Sequence, residues 1–245
     1  AAHYRSAAAY VSALRVENAI RGHSLDSNAV DYAKYLRRAA LRDLGSPKHS
    51  EAVDELMLHR LLLAARKSAD VDRLLRAECG ILAWHLLLRG DEVVLFNATR
   101  DRLHVHTHSA TVNITGDKTN LRGLDRKREL GCACRSGSIG ADLCPLHTIR
   151  RILARLAKMG KPCGPLLGQS YSSNKLLNAF RRDLHDTGED ILNADGTNRF
   201  GLHMFRRGGC QALCRAGWPD YVVKAWARWD SNMVELYAAE APLVH

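Results

Sequence analysis

The spacing of hydrophobic residues changes once along this chain, and that change limits the folds it can adopt. Residues 1–44 and 52–89 repeat apolar and small residues at intervals of three and four, which is typical of amphipathic helices. Within 102–120, apolar and polar residues alternate instead, which indicates β-strand. Helical spacing returns after residue 145. We therefore predict a mainly α fold with one small antiparallel β-sheet, in the α+β class.

Turn and helix signals refine this prediction. TGDKTN (115–120) has turn composition and would close a hairpin, and LRGLDRKREL (121–130) is a candidate third strand. GSPKHSE (45–51) combines Gly, Ser and Pro and marks a break. We place a domain boundary there, between residues 1–47 and 48–245. The predicted C-terminal helices span about 145–159, 172–187, 203–217, 219–227 and 232–240.

The charge balance favours a polyanionic partner. The 245 residues include 36 Lys and Arg against 26 Asp and Glu, which gives a formal net charge of +10. An excess of this size in a folded chain favours nucleic acid, although charge alone fits a basic protein without such a partner equally well. The sequence contains no run of about 18 apolar residues, so we expect no membrane-spanning helix.

A group of reactive side chains lies in the stretch GLHMFRRGGCQALCRAGWPDYVVKAWARWDSNMVELYA near the C-terminus. His203 and Arg206 are three residues apart and share a helix face, whereas Arg207 is expected to point elsewhere. Trp229 and Tyr237 follow, and Tyr237 lies on the last predicted helix. A tyrosine in such a helix is ordinarily a core residue, but it is also a potential nucleophile.

A tyrosine nucleophile needs help from its neighbours. Its hydroxyl has an ordinary pKa of about 10, so it must lose a proton as it attacks. A phosphodiester is anionic, and two Arg side chains can neutralise and orient its non-bridging oxygens while His, Lys or Trp donate or move protons. The upstream sequence offers candidates. Arg89 ends an apolar helix, Glu92 follows three residues later, and Lys118 lies in the predicted hairpin turn. We expect Glu92 to support the site through a hydrogen bond.

In this order and spacing the residues resemble the tyrosine recombinases, also called integrases. That family carries an Arg-x-x-Glu or similar box, a Lys on a β-hairpin, His-x-x-Arg, then His or Trp, and finally the Tyr nucleophile. The resemblance covers about residues 50–240. The ending ARWDSNMVELYA is most similar to recombinases of eukaryotic mobile elements of the DIRS and Crypton kinds. The matching residues are Arg89, Glu92, Lys118, His203, Arg206, Trp229 and Tyr237.

The resemblance implies a tyrosine recombinase catalytic-domain fold over 48–245, preceded by part of a helical core-binding domain in 1–47. Since the sequence opens without Met, we expect further sequence to precede it. The implied partner is double-stranded DNA, with a homotetramer acting on two duplexes. The implied location is the nucleus for a eukaryotic mobile element, and otherwise the cytoplasm or nucleoid.

The resemblance also implies a mechanism that requires no cofactor for catalysis. Tyr237 attacks a DNA phosphate and forms a 3′-phosphotyrosyl link, while Arg89 and Arg206 clamp the phosphate. Lys118 protonates the leaving oxygen and His203 assists proton transfer. The tryptophan before the nucleophile donates to the phosphate or packs the site. The alternatives are a type IB topoisomerase-like enzyme, an inactive DNA-binding module, and a zinc-stabilised interaction protein without DNA affinity.

Three positions depart from the family pattern or leave a choice open. Gly90 stands where an apolar residue is usual. Trp229 lies eight residues before Tyr237, whereas the family commonly has His or Trp nine before it. In that register Arg228 would occupy the site. The alternatives to the hairpin lysine are Lys127 and Arg122.

The cysteines suggest a second kind of site. There are seven, an odd count in a chain that is not small, which favours a reducing compartment over a secreted disulfide scaffold. Cys132, Cys134, Cys144 and His147 have the ligand types that zinc prefers, in a Gly- and Ser-rich loop, and Cys163 is an alternative fourth ligand. The competing interpretation is reduced cysteines with a helix starting at Cys144-Pro145.

The histidines of the alternating segment favour metal less. By their alternation they share one strand face, which we interpret as an exposed polar face rather than a metal site. These residues are His104, His106 and His108.

Overall fold

The computed structural model describes residues 7–23, 26–42, 50–99, 102–114, 126–136, 140–229 and 233–239. The chain divides into two compact units, residues 1–49 and residues 50–245. The first unit contains helices α1 (Ala7–Ile20) and α2 (Ser27–Arg42), which pack against each other. The role of this unit as part of a core-binding domain stays a prediction.

The second unit is built mostly of helices, as the sequence predicts. Asp54, Asp70 and Ser172 each accept a hydrogen bond from a backbone N–H in the first turn of the helix that follows, which fixes where α3, α4 and α7 begin. The helices are α3 (Glu55–Lys67), α4 (Val71–His85), α5 (Gly90–Val94), α6 (Pro145–Lys158), α7 (Ser173–His185), α8 (Met204–Arg215), α9 (Asp220–Ala227) and α10 (Met233–Ala239). None of the helices in these described ranges has the length and apolar character needed to cross a bilayer.

A three-stranded antiparallel sheet lies between α5 and α6 in the chain. It consists of β1 (Leu103–Val105), β2 (Ser109–Ile114) and β3 (Arg126–Gly131), in the order β1-β2-β3. Val112 pairs with Leu103 on one side and with Arg128 on the other. The predicted mainly α fold with one small antiparallel sheet is therefore confirmed.

The predicted alternation of histidines ends earlier than expected. Strand β1 stops at Val105, and the His106 N–H donates to the Ser109 carbonyl at 2.8 Å, so residues 106–108 form a turn. His104, His106 and His108 are exposed but do not share one strand face, which corrects the sequence interpretation. The polar and apolar residues go on alternating in the sequence after the strand has ended. The pattern therefore does not show where the chain turns.

Helix α4 is the centre of the second unit. Its residues from Leu75 to Trp84 are all buried, and it packs against α3, α6 and α8. The fully buried Glu78 carboxylate accepts hydrogen bonds from Arg151 and Arg155 of α6, at 3.1 and 2.5 Å. Burial raises the pKa of Glu78, and the two guanidinium charges oppose part of that rise. This ionic contact ties α6 to the centre of the fold.

Two glycines let α8 approach α4 closely. A Cβ atom at Gly208 would lie 1.9 Å from the Val53 carbonyl oxygen, and one at Gly209 would lie 2.0 Å from the Trp84 carbonyl oxygen. The Trp84 indole N–H also donates to the Val53 carbonyl at 3.1 Å. The backbone of α8 therefore rests directly on the end of α4 at Gly209 and on the Val53 backbone, just before α3, at Gly208. A side chain at either position would force these segments apart.

We predict that Gly208→Ala destabilises the fold, although a Gly→Ala change inside a helix ordinarily gains about 1 kcal/mol. The steric conflict should instead lower the free energy of unfolding by about 1–3 kcal/mol, as measured by urea unfolding. The control is Gly131→Ala, because a Cβ there meets open space. An unchanged unfolding midpoint for Gly208→Ala would contradict the close contact.

Candidate active site

The loop between α4 and α5 holds two of the predicted site residues. Arg89 is the first residue before α5, and its backbone N–H donates to the Glu92 carboxylate at 2.7 Å. The Arg89 guanidinium lies 3.3 Å from the other oxygen of the same carboxylate. Glu92 is only 4% exposed, so this ion pair lies in a poorly hydrated place. The structure therefore brings Arg89 and Glu92 together in one cap.

Gly90 departs from the family pattern for a reason visible in the structure. Its N–H donates to the Leu202 carbonyl at 3.1 Å, and a Cβ at position 90 would lie 2.9 Å from the Leu202 Cβ. A larger residue would push the two segments apart. Since Leu202 precedes His203, this contact sets the start of α8 beside the Arg89 loop.

Arg206 is the most buried charged residue of the group, at 1% exposure. It donates to the Leu87 carbonyl at 2.8 Å and to the Ala227 carbonyl. Burial, together with the positive charges of Arg89 and Arg228, lowers the pKa of Arg206 to about 10. Even so, the guanidinium stays protonated at neutral pH.

Arg228 enters the same site from the end of α9. It has a positive φ of 61°, which places it in the left-handed region, and it is 2% exposed. Its guanidinium donates to Glu92 at 2.7 Å and to the Leu87 carbonyl at 3.3 Å. The sequence left Arg228 and Trp229 as alternatives, and the structure brings both to this place.

Trp229 and Tyr237 form the aromatic side of the site. The Arg206 guanidinium lies 4.9 Å from the centre of the Trp229 ring. The Trp229 and Tyr237 rings meet edge to face, with centroids 5.2 Å apart and an interplanar angle of 68°. Tyr237 is 7% exposed and also packs in a small apolar cluster between α8, α9 and α10.

Arg207 corrects one expectation. We expected it to point away from the site, and its guanidinium does donate to the Ser50 carbonyl at 2.5 Å. The same guanidinium, however, lies 5.4 Å from the centre of the Tyr237 ring. Tyr237 sits on a separate helix, α10, so no spacing within α8 could have indicated this contact.

His203 stands at the start of α8, where its ring is exposed at the edge of the cluster. Partial desolvation lowers its pKa, and the positive charges of Arg206 and Arg89 lower it further. The neutral imidazole is therefore favoured at pH 7, and a neutral ring can accept a proton.

The position of the catalytic lysine stays a prediction. Lys118 and its alternative Arg122 lie outside the described residues. Lys127 is exposed on β3, opposite Asn113. Its neighbour Arg128 donates to the Ala225 carbonyl at 2.8 Å and lies 5.0 Å from the centre of the Trp226 ring.

Sequence reasoning missed Arg128. Arg128 binds the end of α9 to β3 through the Ala225 and Trp226 carbonyls, three and two residues before Arg228. The sequence showed only an Arg on a predicted strand. Its partners are the free carbonyl groups at the end of a helix that is distant in sequence, so the contact can be recognised only once the fold is known.

The predicted metal ligands also converge. The ligand atoms of Cys132, Cys134, Cys144 and His147 all lie within 4.8 Å of one another. Cys163 does not join this group and is exposed. The convergence selects His147 over Cys163 as the fourth member of the cluster.

The chemistry of the first cluster is that of an anion site. Arg89 and Arg228 donate to the Glu92 carboxylate, and the charges of both act on the neighbouring Arg206. Three guanidinium groups therefore lie close together in a poorly hydrated place. Guanidinium groups bind phosphate oxygens through paired N–H donors, and Tyr237 stands beside them.

We predict that Glu92→Gln lowers the free energy of unfolding by about 3–5 kcal/mol, because it removes the buried carboxylate charge to which Arg89 and Arg228 donate. Chemical denaturation of both proteins measures the difference. Glu55→Gln is the control, since Glu55 is exposed in the first turn of α3, and it should change stability by less than about 0.5 kcal/mol. Equal losses in the two variants would contradict the role of Glu92.

Comparison with known proteins gives a result only at the level of structure. No protein-family model matches the sequence, and no curated protein sequence matches it. The XerH site-specific recombinase, solved with its difH substrate in a post-cleavage complex, is similar with a TM-score of 0.56 and 14% identity, covering 78% of this chain and 50% of that chain.

Two integrases are also similar. A lambda integrase dimer bound to a COC' core site has a TM-score of 0.55 and 15% identity, covering 86% of this chain and 56% of that chain. Lambda integrase has also been solved as a tetramer bound to a Holliday junction. The Tn1549 transposon integrase in complex with circular intermediate DNA has a TM-score of 0.50 and 13% identity. The match covers 91% of this chain and 78% of that chain.

This chain thus spans about half of the XerH and lambda integrase chains. At these identities the likeness concerns architecture. The helical unit with its three-stranded sheet has the fold of the tyrosine recombinase catalytic domain.

Proposed function

We propose that this chain is the catalytic part of a site-specific DNA recombinase that cleaves and rejoins DNA through a 3′-phosphotyrosyl intermediate on Tyr237. The observation that carries the proposal is the position of Tyr237 beside a buried cluster of guanidinium groups. Trp229 links the two, with Arg206 over one side of its ring and Tyr237 at its edge. A phosphate at the cluster would therefore lie within the neighbourhood of the tyrosine.

The cleavage step proceeds by in-line displacement at phosphorus. The Tyr237 oxygen forms a bond to phosphorus as the bond from phosphorus to the 5′-oxygen breaks. The tyrosine proton passes to neutral His203, and Lys118 gives a proton to the leaving 5′-oxygen. The products are a 3′-phosphotyrosyl link and a free 5′-hydroxyl.

Rejoining is the reverse of this step, carried out by the 5′-hydroxyl of another DNA end. The bond energy is kept in the phosphotyrosyl link, so the reaction needs neither ATP nor a catalytic metal. Lys118 is assigned here by resemblance alone.

Arg89 and Arg206 hold the non-bridging oxygens in this proposal, and the fold prepares them for it. Arg206 is already fixed by the Leu87 and Ala227 carbonyls, so it does not need to be ordered when DNA binds. Donors fixed in advance in a poorly hydrated site each contribute about 100- to 1,000-fold to the rate of reactions that develop negative charge.

The proposed partner is double-stranded DNA, with four copies of the protein acting on two duplexes. The net charge of +10 supports phosphate contacts and a strong dependence of affinity on salt. The tetramer of lambda integrase on a Holliday junction supports the assembly by analogy.

An origin in a mobile element is a finer part of the proposal. The Tn1549 integrase belongs to a transposon. The stretch ARWDSNMVELYA, which resembles DIRS and Crypton recombinases, favours a eukaryotic element.

We predict that wild-type protein forms a covalent adduct with a nicked duplex carrying the element's own end sequence, seen on a denaturing gel. Tyr237→Phe should form none, because it lacks the attacking oxygen, while still binding DNA. Tyr221→Phe is the matched control, since Tyr221 is 74% exposed on α9 and should keep full activity.

Other outcomes of this assay separate the rival functions. DNA binding without an adduct in wild type would support a binding module. Relaxation of supercoiled plasmid by dilute monomer would support a type IB topoisomerase-like enzyme.

We also predict the direction of the pH dependence. The pKa of His203 is lowered, so its ring is neutral at and somewhat below the ordinary value of 6.5. The cleavage rate should hold down to about pH 6.5 and fall by up to about tenfold per unit below the folded pKa. Single-turnover adduct formation measures the profile. His203→Gln should be slower and lack this acidic limb, and an identical limb in that variant would contradict the role of His203.

A further inference from the structure

Three cysteines and a histidine meet between the sheet and α6. Cys132 and Cys134 follow β3 directly, Cys144 is the residue before α6, and His147 lies in the first turn of that helix. Their ligand atoms lie within 4.8 Å of one another. The sequence separation of Cys132 and Cys144 is 12 residues, so the cluster closes a loop that leaves the sheet and enters a helix.

Two of the distances within the cluster match those of a tetrahedral metal site. Zinc binds thiolate sulfur at about 2.3 Å and imidazole nitrogen at about 2.0–2.1 Å, so a tetrahedron has sulfurs about 3.8 Å apart and sulfur about 3.6 Å from nitrogen. Cys144 Sγ lies 3.8 Å from Cys132 Sγ, and Cys134 Sγ lies 3.6 Å from His147 Nδ1. The sulfurs of Cys132 and Cys134 are 3.0 Å apart, which is shorter than the tetrahedral separation but well beyond the roughly 2.05 Å of a disulfide bond, so metal binding requires these two thiols to move apart.

The surroundings of the cluster hold the ligands in place. Backbone N–H groups of His147, Cys134 and Ala133 direct hydrogen bonds at the Cys144 sulfur. Hydrogen bonds of this kind orient metal ligands and stabilise thiolate.

The loop before Cys144 is anchored independently. Arg151 donates to the Asp142 carbonyl at 2.7 Å, and His85 Nε2 lies 2.9 Å from the Leu143 carbonyl. Burial lowers the pKa of His85 to about 4, so the neutral ring donates its Nε2–H to that carbonyl.

We propose that Cys132, Cys134, Cys144 and His147 bind one zinc ion, which fixes the end of β3 to the start of α6. Four protein ligands leave no open coordination position, so this zinc is structural and takes no part in chemistry. Soft thiolate ligands in a tetrahedral arrangement favour zinc over magnesium or calcium. The proposal stands apart from the recombinase function, because the cluster exists whether or not the protein cleaves DNA.

The zinc would act on the sheet as a whole. Strand β3 is hydrogen-bonded to β2 and holds the end of α9 through Arg128. Helix α6 is fixed to α4 through Glu78 and to the β1–β2 turn through Arg150, which donates to the Thr107 carbonyl at 2.8 Å. A metal joining β3 to α6 would therefore add a direct link between the sheet and the helix that is bound to α4. Metal binding of this kind contributes directly to folding free energy.

The test uses the whole chain, purified without a histidine tag, under reducing conditions and without chelator. Elemental analysis should find one zinc per chain. Replacement by cobalt should give the visible absorption of tetrahedral Co²⁺ together with a thiolate-to-cobalt charge-transfer band. Folded protein that contains no zinc, takes up no cobalt and has the same thermal midpoint with and without added zinc would overturn the proposal.

Two variants separate the site from a general effect of cysteine loss. Cys134→Ser should abolish stoichiometric zinc and lower the thermal midpoint, whereas Cys163→Ser, an exposed cysteine outside the cluster, should retain both. If Cys134→Ser does not fold, wild-type protein stripped by a chelator provides the comparison, and its midpoint should rise again when zinc is returned. A Cys132–Cys134 disulfide found by mass spectrometry in the freshly purified wild type would also count against the site.

Discussion

The carboxylate of Glu92 and the carbonyl of Leu87 together hold guanidinium groups that would otherwise repel one another. Arg228 binds both acceptors, Arg206 binds the carbonyl, and Arg89 binds the carboxylate. Leu87 has a positive φ of 50°, a strained conformation for a side chain of this size. Backbone strain and closely spaced guanidinium groups are therefore both concentrated at the place where we propose that the phosphate binds.

This arrangement depends on how closely the helices approach. Gly208 and Gly209 allow the backbone of α8 to lie against Val53 and the end of α4, and Gly90 allows the α5 loop to meet Leu202. Each glycine acts through the absence of a side chain at a contact between segments distant in sequence. The charged cluster is therefore a consequence of backbone packing, and the guanidinium positions follow from it.

The sheet and the cysteine cluster position the end of α9, in addition to the close helix packing around the glycines. Arg128 ties β3 to the end of α9, where Arg228 begins its turn into the site. The cysteine cluster ties the other end of β3 to α6, and α6 is bound to the central helix by Glu78. If zinc occupies that cluster, it stiffens the element that leads into the anion site without touching the site itself.

Periodicity, capping residues and short spacings in the sequence were enough to predict the fold class, the longer helices and the grouping of the cysteines. They also indicated the residues that the structure gathers around Arg206. They did not predict the short helix α5 or indicate Arg128, misjudged Arg207, and carried the histidine alternation through a turn. These points, and the joint presence of Arg228 and Trp229, are visible only in the folded chain. The contacts concerned join residues such as Glu92 and Arg228, 136 positions apart, and depend on a left-handed turn at the end of α9. Side-chain direction at such a turn is set by the packing of distant segments, which local sequence does not encode.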